Sequence, residues 1–357
     1  MVNMEKIEEF DFQRIPAPLL SWYQGHKRSL PWRENPTPYR VWVSEIMLQQ
    51  TRVEAVKEYF LRFMTALPTV EDLAACEEEK LLKLWEGLGY YSRARNLKKA
   101  ACAVMEKYDG KLPDSADELR RLSGIGDYTA GAIASISFGK PEPAVDGNVL
   151  RVAARLLCYE QDVLSPVAKK ELTAAVDAQV KRLPPDTLNQ ALMELGATVC
   201  LPSGTPHCTC CPLRECCIAH ACGKQAELPI RKKPQKRKIE EKTVLILRIA
   251  DRIALQKRPE TGLLAGLYEP FCMPGKLTAA AVREALSEHA LSPLRITPLG
   301  EAKHIFTHLE WHMTGFEVLL DDTAATALSD GLFLAPREKI DEEYALPSAF
   351  AAYRAFM

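Results

Sequence analysis

The chain lacks a long apolar run, and it lacks an excess of charge of either sign. Without about 18 uninterrupted apolar residues no segment suits a bilayer span, so no membrane partner is expected. The first residues, MVNMEKIEEFDFQ, are acidic and mixed rather than arranged as a secretory leader. An intracellular setting is expected. Lys and Arg number 46 against 47 Asp and Glu, so a polyanionic partner would have to be met by grouped basic residues rather than by net charge. An even spread of cysteines is missing as well. Seven of the eleven fall between Cys200 and Cys222, with Cys76, Cys102, Cys158 and Cys272 scattered. Such crowding argues for a metal or cluster site in a reducing compartment, against a disulfide framework. The 357 residues leave room for two or three domains with real cores.

The most informative stretch runs from Leu122 to Leu156, LSGIGDYTAGAIASISFGKPEPAVDGNVLRVAARL. Ser123-Gly124-Ile125-Gly126 is a glycine-rich turn that opens into a helix of small residues, Thr129 to Ser135. Its unpaired N–H groups would attract a phosphate, with Gly124 and Gly126 permitting close backbone approach and positive φ. Val145-Asp146-Gly147-Asn148 then precedes an amphipathic run, Val149 to Leu157. That order puts Asp146 in a loop or at a helix N-cap near the phosphate grip.

Along the chain, residues 11 to 29 read as one helix and Tyr39 to Met64 as a second, long one. Within WVSEIMLQQTRV, Glu45 lies between Val43 and Ile46, next to Gln49 and Gln50. A half-buried carboxyl there would have a raised pKa, as a general acid needs; an exposed Glu on a solvated face is the other reading. Gly87 to Asn96 joins glycines, a tyrosine pair and two arginines beside a helix start, suited to base-stack insertion and phosphate contact, or to core and cap. Ser115 to Leu122 reads as a short helix, and 160 to 198 as helical with breaks at Ser165-Pro166 and Pro184-Pro185.

Cys200, Cys208, Cys211 and Cys217 supply four thiolates in one loop, suited to a zinc ion or a [4Fe-4S] cluster. A single two-residue gap favours the cluster, and Cys210, Cys216 and Cys222 remain as spares. Arg231 to Lys238, RKKPQKRK, has six basic residues in eight and reads as a linker, able to add phosphate affinity or serve as a tether or nuclear signal. Beyond it, two short apolar runs around Ala250-Asp251 make a hairpin signature. A later strand covers Trp311 to Leu319, giving an α+β domain.

WVSEIMLQQTRV, WEGLGYYSRARN, LSGIGDYTAGAI, VDGNVLRV and the four-cysteine loop, in that order, resemble adenine DNA glycosylases of the MutY type, in the helix-hairpin-helix glycosylase superfamily. The resemblance implies a mainly α, two-module fold with an iron-sulfur loop, followed by an α+β MutT-like (Nudix-like) domain. The implied catalytic domain is 1–226, with a six-helix module at about 30–137 and an iron-sulfur module from 1–29 with 138–226. A basic linker, 227–238, and an 8-oxoguanine recognition domain, 239–357, follow. It implies excision of a flipped adenine mispaired with 8-oxoguanine or guanine in double-stranded DNA, by a chain expected to be monomeric. Glu45 would protonate adenine N7 and later activate water. Asp146 would stabilise the oxocarbenium ion, with Tyr128 and Asn148 orienting groups around them. Arg33, Gln50, Leu88, Tyr90 and Gln190 would lie on the substrate side, and Cys200, Cys208, Cys211 and Cys217 would hold a [4Fe-4S] cluster. The short linker suggests a bacterial cytoplasm with nucleoid association; a nuclear location would hold in a eukaryote.

The chain departs from the pattern in places. Relatives with lyase activity carry a Lys where this chain has Tyr128, so a monofunctional enzyme is expected. The carboxylates that a nucleotide pyrophosphatase needs for Mg²⁺ are too few after Gly275. The family's Phe-Ser-His loop is Phe306-Thr307-His308 here, and seven residues rather than six separate Cys200 from Cys208. An endonuclease III-like glycosylase/lyase and a noncatalytic iron-sulfur DNA-binding protein are the alternatives. Tyr128 argues against the first, and the pairing of Glu45 with Asp146 against the second.

Overall fold

The computed structural model describes residues 15–232, 236–326, 328 and 331–357. Residues 11–14 of the expected first helix lie outside them. Two compact units divide the chain, Met1–Cys76 with Asn96–Pro234, and Glu77–Arg95 with Gln235–Met357. Among the described residues no helix is long and apolar enough to cross a membrane.

The first unit is helical. Its helices include Pro16–His26, Pro38–Leu48, Val53–Ala66, Asp127–Phe138, Gly147–Leu156, Pro166–Val180 and Pro185–Thr198. The single helix expected over Tyr39 to Met64 is two: Gln50 adopts a left-handed φ of 58° and ends the first. Neither Gly nor Pro announces the break. One core joins Ile15, Leu19, Val149, Leu156, Leu172, Val176, Leu188 and Leu195, so the Gly147–Leu156 helix is buried by its apolar stripe.

Close approach at glycines sets how the helices meet. A Cβ on Gly131 would lie 2.1 Å from the Pro143 carbonyl oxygen, and one on Gly196 would lie 2.6 Å from Asn148 Cβ. The loop before Asp146 therefore rides directly on the Asp127–Phe138 helix. Of the two hairpin glycines only Gly124 has positive φ, 78°. Gly126 is an ordinary extended N-cap with no side-chain cap, which leaves the first N–H groups of its helix open.

The second unit contains a six-stranded sheet in the order β4-β5-β1-β3-β2-β6. The strands are β1 Lys238–Ile249, β2 Arg252–Lys257, β3 Tyr268–Pro274, β4 Pro293–Ile305, β5 Leu309–Leu320 and β6 Leu332–Pro336. The expected hairpin around Ala250-Asp251 is the β1–β2 turn. Strand β1 also pairs in parallel with β5, Val244 opposite Gly315. Both faces of β1 are covered: Val244 and Ile246 pack with Trp311, Phe350 and Tyr353. Leu245 and Leu247 pack with Phe316, Val318 and the Ala279–Glu288 helix through Val282 and Leu286. That two-sided burial explains an apolar run with no alternation.

Gly131→Ala should destabilise the first unit by about 1–3 kcal/mol, because the new methyl meets a backbone carbonyl that cannot swing aside. Urea unfolding monitored by circular dichroism measures this.

Candidate active site

Glu45 sits on the inner face of the Pro38–Leu48 helix at 5% exposure. Burial pushes its carboxyl up to about 7, opposed by the hydrogen bond from Tyr128; the charge of Asp146 raises it further and that of Arg33 lowers it. Tyr128, one residue into the Asp127–Phe138 helix, donates its hydroxyl to Glu45 Oε2. Burial, then the charges of Glu45 and Asp146, hold the phenol well above its ordinary value. It is a donor throughout the neutral range.

Asp146 is the N-cap of the Gly147–Leu156 helix. Its Oδ1 accepts from the backbone N–H of Asn148 at 2.9 Å and of Val149 at 2.7 Å, and its Oδ2 from Asn148 Nδ2 at 2.7 Å. Burial still raises its pKa, with those bonds and the Arg151 charge pulling it back. Glu45, Tyr128, Asp146 and Asn148 line one cavity of about 660 Å³, within the usual range for a small-ligand pocket. Arg33, Gln50 and Gln190 line it too. The residues expected to work together from the first unit are brought together, with Gly124 and Gly126 at the nearby helix start.

Three contributors were not foreseen. Glu194, fully buried, accepts from Arg28 Nε at 2.6 Å and Arg33 Nη2 at 2.8 Å. Burial works to raise its carboxyl, but the Arg28 hydrogen bond and the Arg33 charge hold it below the ordinary value. Arg28 and Glu194 line the same cavity. The signal was present: Gln190 and Glu194 are four apart on one helix and so share a face. Asn189, also fully buried, accepts from Ala144 N–H at 3.0 Å and donates to Ser135 Oγ and Glu142 O, both at 2.9 Å. It ties the loop leading to Asp146 onto the helix that carries Tyr128.

The cysteine loop makes a second pocket. Cys200, Cys208, Cys211 and Cys217 line it, while Cys210, Cys216 and Cys222 do not. Burial pushes Cys211 up to about 12 and Cys217 up to about 11, and raises Cys208 as well. Two buried polar atoms that have no partner among the described residues, His220 Nδ1 and Gln225 Oε1, belong to residues of the same lining. Arg214 Nε donates to His220 Nε2 at 3.1 Å. Arg155 Nη1 lies 3.1 Å from Cys200 Sγ. Arg151 donates to Asn148 Oδ1 at 2.9 Å and to the Cys200 carbonyl at 2.7 Å, so one guanidinium spans the two pockets' walls.

Residues 43–175 match the family described as HhH-GPD superfamily base excision DNA repair protein, and residues 243–355 match the NUDIX domain. The adenine DNA glycosylase of Mus musculus is 34% identical over 379 residues, covering 90% of this chain and 73% of the mouse protein. The chain belongs to the adenine DNA glycosylase family. That of Buchnera aphidicola subsp. Baizongia pistaciae is 33% identical, with 85% of each chain covered. A solved thermostable thymine-DNA glycosylase aligns with TM-score 0.54 and 25% identity over 62% of this chain and 99% of its own. As a member of the adenine DNA glycosylase family the chain is a base excision enzyme with a helix-hairpin-helix glycosylase fold and a Nudix-like domain.

The remaining site candidates of this glycosylase fall in the second unit. Glu77–Arg95, expected within the six-helix module, groups there. Tyr90 is 47% exposed at a left-handed φ of 48°, a strained state for a tyrosine. Its hydroxyl meets Thr307 Oγ1 at 3.2 Å. Arg93 braces the loop by donating to Leu88 O and Gly89 O, each at 3.0 Å. Leu88 itself is buried at 6%, so the tyrosine rather than the leucine is presented. Phe306 is half-buried, its ring edge-on to Trp311 at 4.8 Å and to His304 at 4.6 Å. Thr307 and His308 are exposed in the turn that follows. On the Ala279–Glu288 helix Arg283 donates to the Pro293 carbonyl, with Glu284 and Glu288 its only carboxylates.

Because burial raises Glu45 above its unfolded value of 4.5 to about 7, the folded chain holds that proton more tightly than the unfolded one. The group's contribution to stability therefore falls as pH rises from about 4.5 to about 7. Glu45→Gln should melt above the wild type at pH 8 and close to it near pH 4, by calorimetry at the two pH values.

Proposed function

We propose that the enzyme removes adenine mispaired with 8-oxoguanine or guanine from double-stranded DNA, as a monofunctional glycosylase. The observation that carries this reading is one cavity shared by a carboxyl poised near neutrality, Glu45, and a second held by three donors, Asp146. Two carboxyls with different environments can divide acid and ion-stabilising roles.

The base is flipped into the cavity. Glu45, whose carboxyl burial pushes up to about 7, gives its proton to N7 of adenine. The N-glycosidic bond then breaks with its electron pair leaving on the base. Asp146, kept in place by Asn148 and Val149, faces the cationic sugar and stabilises it. Glu45 next takes a proton from a water that adds to the sugar carbon, which leaves an abasic site. Tyr128 holds Glu45 by its hydroxyl and occupies the place of a lyase lysine. Among the described residues that line the cavity there is no lysine to form a Schiff base. Glu194, with Arg28 and Arg33, offers fixed hydrogen-bonding groups to the edge of the base. Gly124 and Gly126 present open N–H groups to a phosphate.

Cys200, Cys208, Cys211 and Cys217 are the residues that would hold a [4Fe-4S] cluster. Supporting this are their common pocket and the two unpartnered polar atoms on its wall. When bound, the cluster would tie the loop together as a structural centre; thiol protons held by burial would give way to iron. Residues 1–226 form the catalytic part and 227–238 a basic tether. In 239–357, Phe306, Thr307 and His308 read the opposite base, with Tyr90 beside Thr307. The enzyme acts as a monomer, in the bacterial cytoplasm at the nucleoid or in the nucleus of a eukaryote.

Single-turnover assays on duplexes with adenine opposite 8-oxoguanine, guanine and thymine test this reading. Excision is expected for the first two, with no strand break before alkali and no robust adduct trapped by borohydride. Glu45→Gln and Asp146→Asn should bind the mispair yet excise roughly 10²–10⁴-fold more slowly. The wild-type rate should decline as pH rises through about 7, as the Glu45 proton is lost. Wild-type excision by either variant would remove the assigned roles.

A further inference from the structure

We infer that His220 is a hydrogen-bond donor to the sulfur of the four-cysteine site, its ring proton fixed on Nδ1 by Arg214 and directed at the centre that the cysteines hold. This rests on the reading of that site as a [4Fe-4S] cluster. His220 follows Cys217 by three residues and lines the pocket with all four cysteines.

The tautomer follows from the partner. Arg214 Nε lies 3.1 Å from His220 Nε2. A guanidinium offers donors and no acceptor, so Nε2 must be the accepting nitrogen. In the neutral ring the proton then sits on Nδ1. That Nδ1 is buried and has no hydrogen-bond partner among the described residues, an arrangement that calls for an acceptor. Gln225 Oε1 shares both the pocket wall and the lack of a partner, so the two atoms are not bonded to each other. What the wall supplies in number is sulfur.

Thiolate and sulfide bound to iron are far better acceptors than free thiols. A donor to them stabilises the additional negative charge of the reduced cluster, which raises its reduction potential. Arg214 is then a positioning residue that holds the ring by its Nε2. A buried water bridging His220 and Gln225 is the competing occupant, and it would leave the potential where it was.

The test uses the full-length protein purified without oxygen. Iron and acid-labile sulfide are counted first, and a wild type without about four of each overturns the cluster assignment itself. With the cluster present, midpoint potentials are compared by spectroelectrochemistry. His220→Phe should shift the potential in the negative direction. His220→Asn, whose amide N–H takes the place of Nδ1–H, should restore most of the shift. An unchanged potential in a His220→Phe protein of wild-type iron content would overturn the proposal. If that variant loses iron, the decision passes to a His207→Gln protein labelled with ¹⁵N only in its histidine rings. A ¹⁵N coupling in the pulsed magnetic resonance of the paramagnetic cluster supports the donor, and no coupling refutes it.

Discussion

The hydrogen bond from Tyr128 to Glu45 is the contact on which the site depends. It joins a carboxyl that burial would otherwise leave without a partner to a phenol that stays protonated, so each group fixes the state of the other. Removing a carboxyl from water is costly unless donors replace the solvent. One tyrosine replaces only part of it, and the deficit appears as the raised pKa. A better-solvated Glu45 would make a more stable protein and a poorer acid.

Asp146 solves the opposite problem with the same materials. Its carboxylate is met by two backbone N–H groups and one amide, the donors a helix N-terminus leaves open. The loop that brings it there has no regular structure of its own, and its position comes from outside. Gly131 lets the loop lie against a helix, and Asn189 bonds Ala144 N–H, the Glu142 carbonyl and Ser135 Oγ, tying the loop to that helix. Through Asn148 and Arg151 the same loop reaches the backbone of Cys200. The carboxylate and the cysteine pocket are thereby parts of one polar chain.

Sequence reading recovered what is written locally. Glu45 stood out as a carboxyl between apolar neighbours, Asp146 as a capping residue before an amphipathic run, and the four cysteines by their spacing. What it missed is written in three dimensions. The turn at Gln50 carries no Gly or Pro, so periodicity ran straight through it. Glu194, Asn189 and Arg28 look like ordinary polar residues until their partners, more than forty positions away, are in view. The burial of Leu88 is a tertiary fact without a local mark. The parallel pairing of β1 with β5 is of the same kind, since strand propensity names neither partner nor direction.

That pairing sets an order of events during biosynthesis. Strand β1 leaves the ribosome early in its unit, yet one of its two flanking strands is not complete until Leu320, and the tyrosine that lies over Gly315 comes only at residue 353. For that interval the apolar run Val244 to Leu247 has an unsatisfied backbone edge and two uncovered faces. The nascent chain must keep this segment from pairing with another copy, and the basic run just upstream supplies repulsion between neighbouring chains while it waits.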